Sequence, residues 1–383
     1  MSWKNALRDI GVKVEHTFDD LRHKLQRTIG YHDPIRIQPY RGYGTADRVK
    51  LLGRVLEDDG VSTPAPDDRV WDNVLRMFKR METDEIPSAS VRLKMAGADF
   101  DIETDDEGYF QHSLAAKKTS VGRFQPGVQP VEYELLKPHG DDQKQIVWPG
   151  EVFIPRDDAD FIVVSDIDDT VLHTHATSML RLLATSLFTN EYKRIAFPGV
   201  AEFYQALARG PGHASRPEQG EPRNNFFYLT SSMWNVYDML ALFFDLRGVP
   251  KGPLLMRDLG LTTEHFFKSS HGKHKLGYLR ELLNTYPNHQ FVLLGDTGQK
   301  DAEIYFEIAC ESADRLKAVY LRDVAGPERD ARVAEIVGEM QDLGVPALAA
   351  ERSLDHARHA ADLHLIDAAS LAGIEAAQAA EDR

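Results

Sequence analysis

Apolar residues recur every three or four positions through the first thirty residues: Trp3, Leu7, Ile10, Val14, Phe18, Leu21, Leu25 and Ile29. That period predicts one amphipathic helix over 1–30, closed by Gly30 and the Pro34 region. From about residue 38 to residue 155 the period drops to two. Short alternating segments at 49–56, 91–95, 100–104, 131–136 and 147–154 are broken by turn residues such as Asp105-Asp106-Glu107-Gly108. They predict a small antiparallel β-domain over 38–155. One helical stripe interrupts it near 68–81, carried by Val70, Val74, Met77 and Met81.

Beyond the polar stretch 156–160, strands and helices alternate. Strand-like runs fall at 161–166, 226–230, 252–256, 290–295 and 316–321, and helical patterns at 176–188, 233–247, 274–286, 301–311 and 329–343. This order predicts an α/β domain over 160–365 with a parallel sheet and right-handed crossovers. The stretch 209–225 has no apolar periodicity and reads as a surface loop, and the Ala-rich segment 366–383 reads as a helical tail.

Composition changes this picture in a few places. A chain of 383 residues, 42% hydrophobic and 27% charged, is large enough for two cores. Its net charge of −15 argues against a general nucleic-acid binder, which needs a basic face. The 1–30 segment runs the other way, with six Lys/Arg against four Asp/Glu, and with Trp3 at one end it fits a lipid interface as well as a docking helix. The single cysteine, Cys310, excludes an intramolecular disulfide and a Cys-based zinc site. In the helical run EIYFEIAC it is expected to pack in the core. No apolar run approaches the ~18 residues of a membrane span, and MSWKNALRDIG lacks a signal-peptide core. A cytoplasmic protein, peripheral at most to a membrane face, is expected.

The densest chemical signal is FIVVSDIDDT, 161–170. A buried strand ends there in three carboxylates, Asp166, Asp168 and Asp169. Such crowding repels itself unless a cation offsets it, and the carboxyl end of a strand is where open α/β sheets bind ligands. Metal-assisted phosphoryl chemistry follows as a hypothesis. In QFVLLGDTGQKD a second strand ends in Gly295-Asp296, with Asp301 five residues on; Asp296 suits either a metal ligand or a helix cap. In NFFYLTSS a third strand ends in Thr230, Ser231 and Ser232, hydroxyls that suit a phosphoryl oxygen or a cap. Lys273 and Lys275 open an amphipathic helical pattern and would offset the excess negative charge.

Together, in this order, these segments resemble the four motifs of the haloacid dehalogenase superfamily of phosphotransferases. That resemblance implies a Rossmann-like parallel sheet. It also implies Asp166 as nucleophile, Asp168 as proton donor and acceptor, and Mg²⁺ held by Asp166, the Asp168 carbonyl and Asp296, with Asp301 supporting that set. Thr230 or Ser231 would hold the phosphoryl group, and Lys275, or Lys273 in its place, would oppose its charge. DIDDTVLHT, the Trp-Asn-x-Tyr of SSMWNVYDML, FVLLGDTGQKDAEIY and AVYLRDV are further similar to the catalytic domain of actin-patch-protein-type phosphatidate phosphatases and their bacterial relatives. PYRGYGTADRVKLLGRVL is similar to the β-domain opening of the bacterial members. The resemblance implies removal of phosphate from phosphatidate. The rival expectations are a soluble or protein-borne phosphate substrate, and a catalytically silent membrane or scaffold adaptor.

Substrate contact is expected for Trp234, Asn235 and Arg322, set against core packing for the aromatics and an Arg322–Asp323 ion pair. About fifty-five residues separate Thr170 from the second strand. They leave room for at most a minimal cap, built from MLRLLATSLF, over an open rim, set against that Leu stripe simply packing on the sheet. His173 and His175 are read as edge or surface residues, since Mg²⁺ prefers oxygen.

Overall fold

The computed structural model describes residues 35–57, 85–138, 147–167, 199–212, 222–257, 271–324 and 326–381. The helices expected at 1–30, 68–81 and 176–188, the minimal cap, and Asp168, Asp169, Thr170, His173 and His175 lie outside the described residues. The described chain forms a mixed α/β structure built on two sheets.

The first sheet has seven strands: β1 (Ile35–Gly44), β2 (Arg48–Glu57), β3 (Ser90–Met95), β4 (Ala98–Glu103), β5 (Tyr109–Ala115), β6 (Gly127–Lys137) and β7 (Val147–Ile154), in the order β4-β3-β6-β7-β1-β2-β5. Alternation sets its faces: in β3 Val91, Leu93 and Met95 are buried while their neighbours are not, as period-two side chains require. Val91 and Leu93 from β3 share one core cluster with Phe110 and Leu114 from β5 at the other edge, so the sheet folds over its own apolar face. The sheet is mixed rather than purely antiparallel. Its first and last strands, β1 and β7, run side by side in the same direction, with Gly42 opposite Val152.

The second sheet is entirely parallel: β8 (Ile162–Asp166), β9 (Phe226–Met233), β10 (Leu254–Arg257), β11 (Phe291–Asp296), β12 (Leu316–Arg322) and β13 (Ala347–Ala350), in the order β10-β9-β8-β11-β12-β13. Every residue of β8 and β11 is buried, because helices cover both faces of a sheet built from crossovers. Val163 joins a core with α1 (Val200–Arg209), α2 (Tyr237–Arg247), α6 (Ser353–Asp362) and α7 (Ser370–Glu381). Val164, pointing the other way, joins α3 (His271–Thr285), α4 (Asp301–Ser312) and α5 (Pro327–Asp342).

The chain winds outward from β8 toward β10, then returns to place β11 on β8's other side and winds outward again. The order therefore reverses between β8 and β11, and such a switch point opens a ligand crevice at the strands' carboxyl ends. One local expectation is corrected. Cys310 is exposed: α4 buries Ile304, Tyr305, Ile308 and Ala309, and Cys310 falls one step round the helix from that stripe. The helix expected within 366–383 is α7, and it packs on the domain: Ile374 is buried with Phe203 and Leu354, and the Leu354 N–H donates to Gln378 Oε1 at 3.2 Å.

Candidate active site

Asp166 is the last residue of β8, opposite Leu229 of β9, and is fully buried. Its strand neighbour Ser165 donates from Oγ to the Asp166 carbonyl at 2.7 Å and meets the Tyr204 hydroxyl of α1, also at 2.7 Å. The Ser165 proton is thus committed, so Tyr204 is the donor in the second bond. Burial pushes the Tyr204 pKa up, which keeps that donor proton in place.

Asp296 ends β11 on the adjacent strand, across the switch point, and is also fully buried. Its Oδ1 accepts the Gln299 N–H at 2.7 Å, and its own N–H donates to Asp301 Oδ2 at 3.3 Å. Asp301 is the first residue of α4, where a carboxylate is favoured by the exposed N–H groups of the helix start. Gly295 permits the approach of these pieces. A Cβ there would stand 2.7 Å from the Tyr305 ring and 2.9 Å from Asp301 Cβ. Carboxylate oxygens of Asp166, Asp296 and Asp301 lie within 4.8 Å of one another. Asp301, expected only to support the set, stands inside the cluster.

Lys275, near the start of α3, completes it. Its Nζ lies 2.8 Å from Asp166 Oδ1 and 2.7 Å from Asp301 Oδ1, and the residue is 4% exposed. Burial alone would lower the lysine pKa; the Asp166 and Asp301 carboxylates outweigh it and hold the pKa above the ordinary value. The group is an ammonium at neutral pH. Three buried carboxylate side chains thus meet one ammonium in this cluster. Oxygen-only donors of this kind fit a hard divalent cation such as Mg²⁺ and suit softer metals poorly.

Thr230 sits one residue past the Asp166 level on β9, buried, with Oγ1 accepting the Ser232 N–H at 3.0 Å. Ser231 and Ser232 are half-buried beside it. The hydroxyl segment and the carboxylates thus share one sheet edge. The side chains of Lys273 and Asn235 lie outside the described structure.

Trp234 and Arg322, both expected to contact substrate, have structural partners. Trp234 is 7% exposed and stacks on Tyr40 of the first sheet, ring centroids 4.2 Å apart. Arg322 is 5% exposed and donates to the Glu351 carbonyl at 2.5 Å and Ser353 Oγ at 2.6 Å. It ties β12 to the start of α6. Burial draws its pKa down to about 10, which leaves it charged at neutral pH. Asp323, expected as its ion-pair partner, accepts the Thr297 hydroxyl at 3.1 Å. Sequence reasoning missed Ser165 and Tyr204. Ser165 did carry a signal, as a lone hydroxyl in an apolar strand, whereas Tyr204 had none.

Residues 161–323 match the family model described as phosphatidate phosphatase APP1, catalytic domain. The matched segment spans β8 to the end of β12 and contains the whole cluster. Phosphatidate phosphatase APP1 of Saccharomyces cerevisiae is 24% identical over 160 residues, covering 42% of this chain and 25% of the yeast protein. An uncharacterized protein of Schizosaccharomyces pombe is 22% identical over 230 residues, covering 59% of this chain and 35% of that one. The chain therefore spans about a quarter to a third of the length of these relatives. Among solved structures, a carbohydrate acetylesterase from Xanthomonas citri is similar at 12% identity, covering 77% of this chain and 72% of that chain with a TM-score of 0.24; a likeness of that degree carries no argument. Among the described residues no helix is long and apolar enough to cross a membrane.

Proposed function

We propose that this chain is a Mg²⁺-dependent phosphomonoesterase of the haloacid dehalogenase type that converts phosphatidate to diacylglycerol and phosphate. The observation that carries the reading is the buried Asp166–Asp296–Asp301–Lys275 cluster, at the switch point of a parallel sheet, inside the segment that matches the phosphatidate phosphatase family.

In this reading Asp166 attacks phosphorus through a carboxylate oxygen, and the bond from phosphorus to the glycerol oxygen breaks. Asp168 supplies the proton that oxygen needs to leave. Water then attacks the aspartyl-phosphate at phosphorus, Asp168 takes its proton, and inorganic phosphate departs with the Asp166 carboxylate restored. Lys275 opposes the charge on the phosphoryl oxygens and holds Asp166 Oδ1 in place. The hydroxyl of Thr230 or Ser231 holds the phosphoryl group. Asp166, Asp296 and the Asp168 carbonyl would hold the Mg²⁺, whose charge lets an anionic nucleophile approach an anionic phosphate. The 1–30 segment would bring the enzyme to the lipid surface.

The test is phosphate release from phosphatidate in mixed micelles, with Mg²⁺ and with EDTA, beside a panel of soluble phosphomonoesters. Turnover of phosphatidate that EDTA and Asp166→Asn both abolish is expected. Activity retained by Asp166→Asn refutes the covalent route. Turnover of soluble esters alone moves the substrate class, and turnover of nothing supports an adaptor.

A further inference from the structure

Strand β1 carries the PYRGYG run, 39–44, and its contacts reach two elements that flank the proposed phosphoryl site. On one side Tyr40 stacks on Trp234, with 25° between ring planes, and lies 4.6 Å from Tyr237. The Arg41 N–H donates to the Tyr237 hydroxyl at 2.9 Å, and Arg36 and Gln38 both donate to Asp238. These partners follow the hydroxyls Thr230, Ser231 and Ser232 within a few residues. On the other side the Tyr43 hydroxyl donates to Glu281 Oε1 at 2.8 Å, and Lys50 of β2 pairs with the same carboxylate. Glu281 lies on α3, the helix that carries Lys275, and just past its end the Tyr286 hydroxyl donates to the Gly44 carbonyl at 3.1 Å. Tyr40 belongs to the core on one face of the parallel sheet and Tyr43 to the core on the other.

β9 pairs with β8 up to Leu229, opposite Asp166, and with β10 again at Met233, opposite Arg257. The hydroxyl segment lies between those pairings, and the stack of Trp234 on Tyr40 follows directly after Met233. We infer that β1 is a brace: Tyr40 and Tyr43 are positioning residues that fix the hydroxyl segment relative to the Lys275 helix, so the β-domain is required for the phosphoryl step and not only for recruitment. What is positioned rests on the phosphatase reading; the mechanical coupling does not.

The experiment uses the full chain and two readouts. One is backbone hydrogen exchange over 229–236 and 272–281. The other is kcat and KM on p-nitrophenyl phosphate with Mg²⁺. Tyr40→Ala is expected to speed exchange at 230–233 about tenfold and to lower kcat by a similar factor, with Tyr40→Phe, which keeps the ring, recovering both. Tyr43→Phe, which removes one hydroxyl, decides the matter if Tyr40→Ala does not fold; faster exchange at 272–281 is expected. Arg92→Ala, at an exposed pair with Asp101 far from β1, serves as the control and leaves both readouts alone. Exchange and kcat within about twofold of wild type in folded variants would overturn the brace. A wild-type protein that hydrolyses no phosphoester fails the function reading by itself, and exchange still decides the coupling.

Discussion

Lys275→Met removes an ammonium while keeping most of its hydrocarbon stem, and so isolates the charge balance of the cluster. In the wild type Nζ stands 2.8 Å from Asp166 and 2.7 Å from Asp301, all three residues buried. Removing one partner of a buried ion pair costs about 3–5 kcal/mol, because the remaining charge stays desolvated and uncompensated. In a domain of this size each kcal/mol lowers Tm by roughly 2–4 °C, so a loss on the order of 10 °C is expected in EDTA. The sign reverses for a divalent ion. The variant cluster carries one positive charge fewer than the wild type, so added Mg²⁺ should raise the variant's Tm by more than it raises the wild type's. Phosphate release should stay low even so, because the ammonium that opposes phosphoryl charge is gone. Thermal melts with EDTA and across a Mg²⁺ series, run beside the phosphate assay, read all three effects. A variant that melts within about 2 °C of wild type in EDTA, or gains less from Mg²⁺ than wild type does, would refute the reasoning.

Gly295→Ala should drive a methyl into the Tyr305 ring and Asp301, at 2.7 and 2.9 Å. Overpacking of this kind costs about 1–3 kcal/mol, and a urea midpoint together with a weaker Mg²⁺ shift in Tm would report the displaced carboxylate. His356 is buried between Phe203 and Tyr320, and burial, with Arg322 nearby, lowers its pKa to about 3. The unfolded chain therefore binds a proton below the ordinary histidine value that the folded chain refuses. Stability should fall as pH drops, by roughly 2 kcal/mol between pH 8 and pH 5. His356→Phe should lack that increment in urea titrations, and identical slopes for the two proteins would refute it. Ser165→Ala orphans the buried Tyr204 hydroxyl; a loss of about 1–3 kcal/mol is expected, and Tyr204→Phe in the same background should recover part of it in a double-mutant cycle.

Strands at the centre of the parallel sheet were legible because burial on both faces forces unbroken apolar runs, as in FIVVS and FVLLG. The residues that end those runs were legible for the same reason: a carboxylate straight after a buried strand stands out. The edge strand β13, Ala347–Ala350, was not. Four residues of ALAA carry no β-branched or aromatic signal, and only pairing with β12 makes them a strand. The mixed character of the first sheet was equally hidden, since strand direction leaves no mark on a period-two pattern.

Local order of side chains along the chain determined which residues could do chemistry: Asp166, Asp296, the hydroxyls at the end of β9 and the lysines near the start of α3 all announce themselves by type and position. Tertiary structure decided what each one touches. It drew Asp301 into the carboxylate cluster and set Lys275 between two of its members. It turned Trp234 onto a ring nearly two hundred residues earlier and Arg322 onto a carbonyl after β13. The physical reason is range. Periodicity and strand termini are properties of neighbouring residues, whereas charge balance and ring stacking depend on which distant segments the two sheets bring together.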